Sequence, residues 1–306
     1  MRFRAYCSSA NLGPGFDVAA VALDAFYDEV ELRVEEGSGR AFVEEVSGPY
    51  SRHVSGTRNT AEAAVEHLLS KLSLDVDVYM KVWKGVPVGR GLGSSGATAA
   101  AAVGGVSKAL SLEVPVEVLV EAAGAGEEVS AGSPHYDNVS ASLLGGFVII
   151  YSTKPLRVVR FEVDATFVLA VPKVKPPKGK TKLMREVLPK EVSVESLVHN
   201  VGRAMALTAG LLSGDPELAG RGMHDVVVEP ARAPLIPCYR EVREAALGAG
   251  ALGVAVSGAG PSMLALVRGP EEASRVSKAV AEAYRRCGVE AETVVAKPAP
   301  GVVRVA

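Results

Sequence analysis

The chain of 306 residues contains no glutamine and only four asparagines, Asn11, Asn59, Asn138 and Asn200. Scarcity of thermolabile amides is a pattern of heat-adapted chains. Where amides are avoided, each one that stays has a reason to be there. Three cysteines, Cys7, Cys238 and Cys287, lie far apart and match neither a disulfide framework nor metal-ligand spacing. They point to a reducing compartment, the cytoplasm. An excess of either charge is missing too: net charge is −2, so nothing global suggests nucleic acid or an anionic membrane as partner. Met1-Arg2-Phe3-Arg4 leads into no apolar signal core. Ala245 to Val267 carries no charge and is long enough to cross a bilayer. Gly248, Gly250, Gly253, Gly258, Gly260 and Pro261 break it into a helix end, a strand, a loop and another strand. No low-complexity linker and no solenoid-period repeat is visible.

Hydrophobic residues make up 48%, enough for a sizeable core, and the length predicts two domains. The expected division is 1–152 and 153–306. In the first part, residues 2–9 start as a strand, and Val30 to Glu35 and Ala41 to Val46 alternate as antiparallel strands do. Ala61, Ala64, Val65, Leu68, Leu69 and Leu72 keep a helical period, with Asn59-Thr60 as cap and Glu62 in the first turn. Pro115 opens a helix to about Glu128. In the second part the order is strand, helices, two strands, helix, strand, which is ferredoxin-like. Its last helix starts at Pro270 and places Ala273, Val276, Val280, Ala283 and Cys287 on one face.

Residues 87–97 stand out: Pro87, Val88, Gly89, Arg90, Gly91, Leu92, Gly93, Ser94, Ser95, Gly96 and Ala97. A strand to Trp83 precedes them and an alanine-rich helix follows. Glycines let a backbone approach a ligand with no Cβ in the way, and the first helical N–H groups lack partners. Together they make a phosphate cradle. A ligand-free turn capped by Ser94 would account for one glycine. Three at alternate positions before paired serines favour phosphate. Gly179-Lys180-Thr181 imitates a P-loop, but the required earlier glycine is Val174 and two prolines intervene, so that reading fails. The lysine run from Lys173 to Lys182 is a solvated segment or a lid over an anion, with Thr181 and Arg185 at its inner edge.

Two other stretches are chemically dense. Asn11-Leu12-Gly13-Pro14-Gly15-Phe16-Asp17 holds two strongly polar side chains in an otherwise apolar loop, which predicts burial near a ligand. Gly132-Ser133-Pro134-His135-Tyr136-Asp137-Asn138 reads as a loop beside a strand. His135 alone reads as a hydrogen-bonded structural residue. Glu127 and Glu128 are adjacent on a helix and point apart, so at least one is solvated.

Three glycine-rich elements in order resemble the galactokinase–homoserine kinase–mevalonate kinase–phosphomevalonate kinase superfamily. They are Ser9 to Asp17, Pro87 to Ser95, and Ser257-Gly258-Ala259-Gly260-Pro261-Ser262. Asn11 to Asp17, the His135-bearing stretch, Thr181…Arg185…Leu188-Pro189 and Glu229-Pro230-Ala231-Arg232 resemble the homoserine kinase family in particular. Gly96 departs from the pattern, where many members have alanine, and so does Cys7, where proline or a small residue is usual. The resemblance implies an α+β fold, with a first domain like domain 2 of ribosomal protein S5 and a ferredoxin-like second domain. It implies transfer of the ATP γ-phosphate to the hydroxyl of L-homoserine, with Mg²⁺, and a homodimer.

By the same resemblance, residues 87–96 wrap the ATP phosphates, and Asn59 and Lys84 lie near the adenine. Ser95 and Glu127 hold Mg²⁺. Arg185 and Arg232 take the substrate carboxylate, and Asp17 the ammonium, with Asn11 and His135 beside it. Asn138 holds the acceptor hydroxyl and Thr181 lies nearby. Asparagine stands where several superfamily relatives place a basic aspartate. An amide is no base near neutral pH, which predicts direct in-line attack, with Asp137 as the rival proton acceptor. Two alternatives remain open from sequence. One is another small-alcohol kinase of mevalonate or shikimate type. The other is a non-catalytic ATP or amino-acid sensor on the same scaffold.

Overall fold

The structure, a computed structural model, describes residues 1–53, 58–132, 134–175 and 179–305. Ser133 and Pro176-Pro177-Lys178, within two stretches singled out above, lie outside the described residues.

The first half is a seven-stranded sheet with helices packed against it. Its strands are β1 (Arg2–Asn11), β2 (Gly15–Glu36), β3 (Ala41–Ser47), β4 (Val76–Lys84), β5 (Phe147–Thr153), β6 (Leu156–Phe161) and β11 (Val303–Arg304). The main order is β11-β1-β2-β4-β3, and β2 also pairs with β5, which pairs with β6. The strand expected at Val30 is the end of β2, which runs 22 residues. β2 and β3 do not pair with each other: β3 lies parallel to β4. Alternation reports burial of one face and carries no partner information, so the expected antiparallel pair is corrected. The expected boundary at 152 falls inside the β5–β6 hairpin, where Ser152 faces Arg157.

The helices here are α1 (Thr60–Leu72), α2 (Ser94–Ala109), α3 (Val116–Ala131) and α4 (Tyr136–Leu144). Asn59 caps α1 as expected: its Oδ1 accepts the Ala61 N–H at 2.9 Å, and Glu62 accepts the Asn59 N–H at 2.9 Å. α2 is buried from Gly96 through Ser107. Its small residues are a packing requirement. A Cβ on Gly105 would come within 2.9 Å of Leu32 and Phe3, and one on Gly104 within 2.9 Å of Val302.

The second half is an antiparallel sheet of β7 (Thr166–Pro172), β8 (Gly253–Val256), β9 (Met263–Val267) and β10 (Ala291–Ala296), ordered β10-β7-β9-β8. This is the ferredoxin-like arrangement. Its helices are α5 (Lys180–Glu186), α6 (Val194–Ser213), α7 (Pro216–Gly222), α8 (Val228–Arg232), α9 (Tyr239–Gly248) and α10 (Pro270–Arg286). Ala273, Val276, Val280 and Ala283 of α10 are buried against the sheet, whereas Cys287, past the helix end, is exposed. Among the described residues, no helix is long and apolar enough to cross a membrane.

Candidate active site

Gly89, Gly91 and Gly93 all have left-handed φ, +71°, +79° and +61°, a conformation that side chains with a Cβ rarely adopt. Gly91 has a second reason to lack a side chain. A Cβ there would collide with the Ser257 carbonyl and lie 2.7 Å from the Gly260 carbonyl. Gly93 is the residue capping α2, and a Cβ on it would strike the Ser8 hydroxyl. Ser94 is no cap: its Oγ donates to the Val86 carbonyl at 3.0 Å. The N–H groups of Ser94, Ser95 and Gly96 therefore open the helix without helical acceptors, as an anion cradle requires.

The three glycine-rich stretches meet. Ser8 N–H donates to Leu92 at 3.1 Å, Gly258 N–H to Ala10 at 3.1 Å, and Ser262 N–H to Arg90 at 3.2 Å. Ser257 Oγ donates to Gly91 at 2.8 Å. The cradle is thus clamped between both halves of the chain.

Beneath the cradle lies a buried knot. Lys84, 4% exposed, donates to Ser94 O at 2.9 Å, to Thr98 Oγ1 at 2.7 Å and to the Asp28 carboxylate. The other Asp28 oxygen accepts Gly85 N–H and Val86 N–H, both at 2.9 Å. All three ammonium protons are thus used, so Lys84 anchors the loop and has none left for an adenine. Asn59 likewise commits its amide oxygen to the α1 cap.

Ser95 Oγ donates to Glu127 at 2.7 Å, and the other Glu127 oxygen lies 3.1 Å from His135 Nδ1. Glu127 is 3% exposed while Glu128 is exposed, so the pair splits as its spacing predicts. A Cβ on Gly96 would sit 3.2 Å from Glu127 Oε1, so glycine gives that carboxylate its room. For His135, burial lowers the pKa, but the Glu127 carboxylate outweighs it and the net direction is up. Asp137 and Asn138 sit in the first turn of α4 and not in a loop. Asp137 Oδ1 accepts Asn138 N–H at 2.7 Å, and Asn138 Oδ1 accepts the Ser8 hydroxyl at 3.0 Å. Burial, with Asp17 adding repulsion, pushes Asp137 up to about 7.

Asp17 and Arg185 form a two-pronged pair, with Nη1 to Oδ2 at 2.8 Å and Nη2 to Oδ1 at 3.1 Å. Both are about a third exposed or slightly more. Arg185 and Arg232 flank the Phe16 ring at 5.6 and 5.1 Å from its centre. Arg232, 4% exposed, donates to Met184 O at 3.0 Å and Gly258 O at 3.1 Å. Thr181 is half-buried on α5, one turn before Arg185. Asn11 positions Asp17. Its Oδ1 accepts Asp17 N–H at 3.2 Å, and its Nδ2 donates to Gly258 O at 2.9 Å. This holds Asp17 at φ +58°.

Sequence reasoning missed Asp28, which no feature separates from its strand neighbours. It also missed the scaffold behind Arg232. Asp225 accepts Val227, Val228 and Glu229 N–H groups between 2.7 and 3.2 Å, and Asn200 donates to it at 2.8 Å. Buried Glu229 accepts Val256 N–H at 2.5 Å and Tyr239 OH at 3.0 Å. The rarity of amides was the one available signal for Asn200. Among the described residues, no cluster of three His, Cys, Asp or Glu side chains makes a closed metal site.

Residues 59–146 match the family model for the GHMP kinases N terminal domain, and residues 207–286 that for the GHMP kinases C terminal. The chain is 50% identical over 303 residues to the homoserine kinase of Aeropyrum pernix, covering 98% of this chain and 96% of that one. It is 47% identical over 301 residues to the homoserine kinase of Pyrobaculum neutrophilum, covering 98% and 99%. Among solved structures, the homoserine kinase from Cytophaga hutchinsonii superimposes with TM-score 0.91 at 34% identity, covering 100% of this chain and 97% of that one. L. major mevalonate kinase shares the fold, with TM-score 0.70 at 15% identity over 98% and 96% of the chains.

Proposed function

We propose that this chain, which belongs to the GHMP kinases and within them to the homoserine kinase family, transfers the γ-phosphate of ATP to the side-chain hydroxyl of L-homoserine. The product, O-phospho-L-homoserine, serves threonine biosynthesis. The observation that carries the substrate assignment is the Asp17–Arg185 pair. A zwitterionic amino acid offers an ammonium to the carboxylate and a carboxylate to the planar guanidinium fork. One internal ion pair is exchanged for two across the ligand. Mevalonate has no ammonium, so Asp17 would have no partner there.

The residues divide the work as phosphoryl transfer requires, by positioning and charge neutralisation. Backbone N–H groups of residues 89–96 hold the phosphates, and the Lys84–Asp28 knot fixes the loop. Ser95 and Glu127 fit Mg²⁺. A hydroxyl and a buried carboxylate 2.7 Å apart are two hard oxygen donors, and Mg²⁺ keeps waters and phosphate oxygens for its other positions. When bound, it neutralises charge on the phosphates. Arg185 and Arg232 take the substrate carboxylate. Asn138, beside the start of α2, holds the acceptor hydroxyl for in-line attack, and the proton passes to the transferred phosphate or to water. The enzyme acts in the cytoplasm. It is a homodimer, a reading supported by α6, where Val194, Leu197, Val198, Val201 and Met205 leave 47 to 76% of their surface exposed along one side. Light scattering checks it.

A coupled assay with L-homoserine, L-threonine, mevalonate and shikimate tests the function. L-homoserine is expected to be turned over with ATP and Mg²⁺, and chelation to abolish it. Comparable kcat/KM for mevalonate, or homoserine binding with no turnover, would overturn the reading.

A further inference from the structure

The lysine run contains one residue that behaves unlike its neighbours. Among its described lysines, Lys173, Lys175 and Lys182 are exposed, whereas Lys180 is 9% exposed. Its Nζ donates to the Gly89 carbonyl at 3.0 Å and to the Gly260 carbonyl. It therefore bridges the first glycine of the cradle to the third glycine-rich stretch. Among the described residues no carboxylate pairs with it. The charges that face it are Arg90, from the cradle, and Arg232, from α8, both positive. Arg90 Nη1 is itself buried without a hydrogen-bond partner, and the Arg232 bonds described above end on carbonyls.

A buried ammonium held only by carbonyl dipoles, among two guanidinium groups, is unfavourable. Burial first, and these neighbours second, bring Lys180 down to about 7. What relieves such a cluster is a polyanion, and it borders the glycine cradle at residues 89–96.

We propose that Lys180 is a nucleotide-binding residue, trading its two carbonyl partners for oxygens of the nucleotide's outer phosphates. This rests on the kinase reading given above. Lys180 opens α5, and Arg185 stands on the same short helix. The residue that reads the phosphates and the residue that reads the amino acid thus share one rigid element. Lys180 discriminates by charge, so the nucleotide with more phosphates gains more from it.

The test is equilibrium binding of AMP and of a non-hydrolysable ATP analogue to the full chain, as wild type, Lys180→Met and Lys180→Arg. Met matches the buried stem without its charge, and AMP binding reports an intact fold. Lys180→Met is expected to weaken the ATP analogue about 10- to 100-fold, the worth of a hydrogen bond to a charged group. AMP should change by less than about twofold, and Lys180→Arg should recover most of the loss. Wild-type affinity for the analogue in Lys180→Met would overturn the proposal. So would equal weakening of AMP and the analogue, which marks a structural role. Neither outcome touches the kinase assignment, which fails separately if the wild type binds neither nucleotide.

Discussion

Asp137→Asn separates two accounts of the chemistry and tests the burial argument at once. Asp137 is 2% exposed and is pushed from 3.8 to about 7, by burial first and by Asp17 second. The folded protein then keeps a proton that the unfolded chain releases. The associated stability is fully present below 3.8 and is lost as pH rises through about 7. Roughly three pH units at about 1.4 kcal/mol each amount to about 4 kcal/mol lost across the window. Asparagine keeps the Oδ1 that accepts Asn138 N–H at 2.7 Å, carries no charge at any pH, and removes this dependence. In guanidinium denaturation the variant should gain on wild type by about 3 kcal/mol between pH 5 and pH 7, with the gap level above that. A gap that stays flat from pH 5 to pH 8 would refute the burial reasoning.

Turnover gives the second readout. In the direct-attack account Asp137 holds Asn138 in place and takes no proton, so kcat of the variant stays within about threefold. General-base catalysis is worth about 10²- to 10⁴-fold. A fall in kcat of about 10²-fold or more, with KM for both substrates unchanged, would make Asp137 the base and refute direct attack.

Arg185→Met leaves Asp17 without its partner and removes the carboxylate fork. KM for L-homoserine should rise about 10²-fold, with KM for ATP within about threefold; an equal rise for ATP would contradict the assignment of this side chain to the amino acid. Gly91→Ala puts a Cβ against the Ser257 and Gly260 carbonyls at a left-handed φ. It should lower stability by about 3 kcal/mol and weaken ATP binding, both seen by denaturation with and without nucleotide. Unchanged stability would mean the clamp between the two halves is not needed.

The residues legible in the sequence are those whose chemistry depends on neighbours close along the chain. The left-handed glycines, the Asn59–Glu62 cap and the α10 face from Ala273 to Ala283 are all local, and the structure has each of them; Cys287 alone leaves that face. Roles fixed by distant partners were not legible. Lys84 has the charge of a ligand, but Asp28, 56 positions away, takes that charge into the scaffold. Asn11 reads as a polar side chain in an apolar loop, and only the fold shows its amide spanning to Gly258, 247 positions away, and holding Asp17. Lys180 shows the converse. Its neighbours in sequence are solvent-facing lysines, and only the folded chain, bringing Gly89 and Gly260 to one point, makes it a buried cation. A site built where two domains meet takes its specificity from long-range contacts, so one sequence displays the donors and acceptors without their assignments. The four asparagines are the instructive exception. Each makes a side-chain hydrogen bond: Asn11 accepts from Asp17, Asn59 caps α1, Asn138 accepts from the Ser8 hydroxyl of β1, and Asn200 donates to Asp225 in the turn ahead of Arg232. In a chain that avoids amides, scarcity was the one signal at Asn200, which no motif singled out.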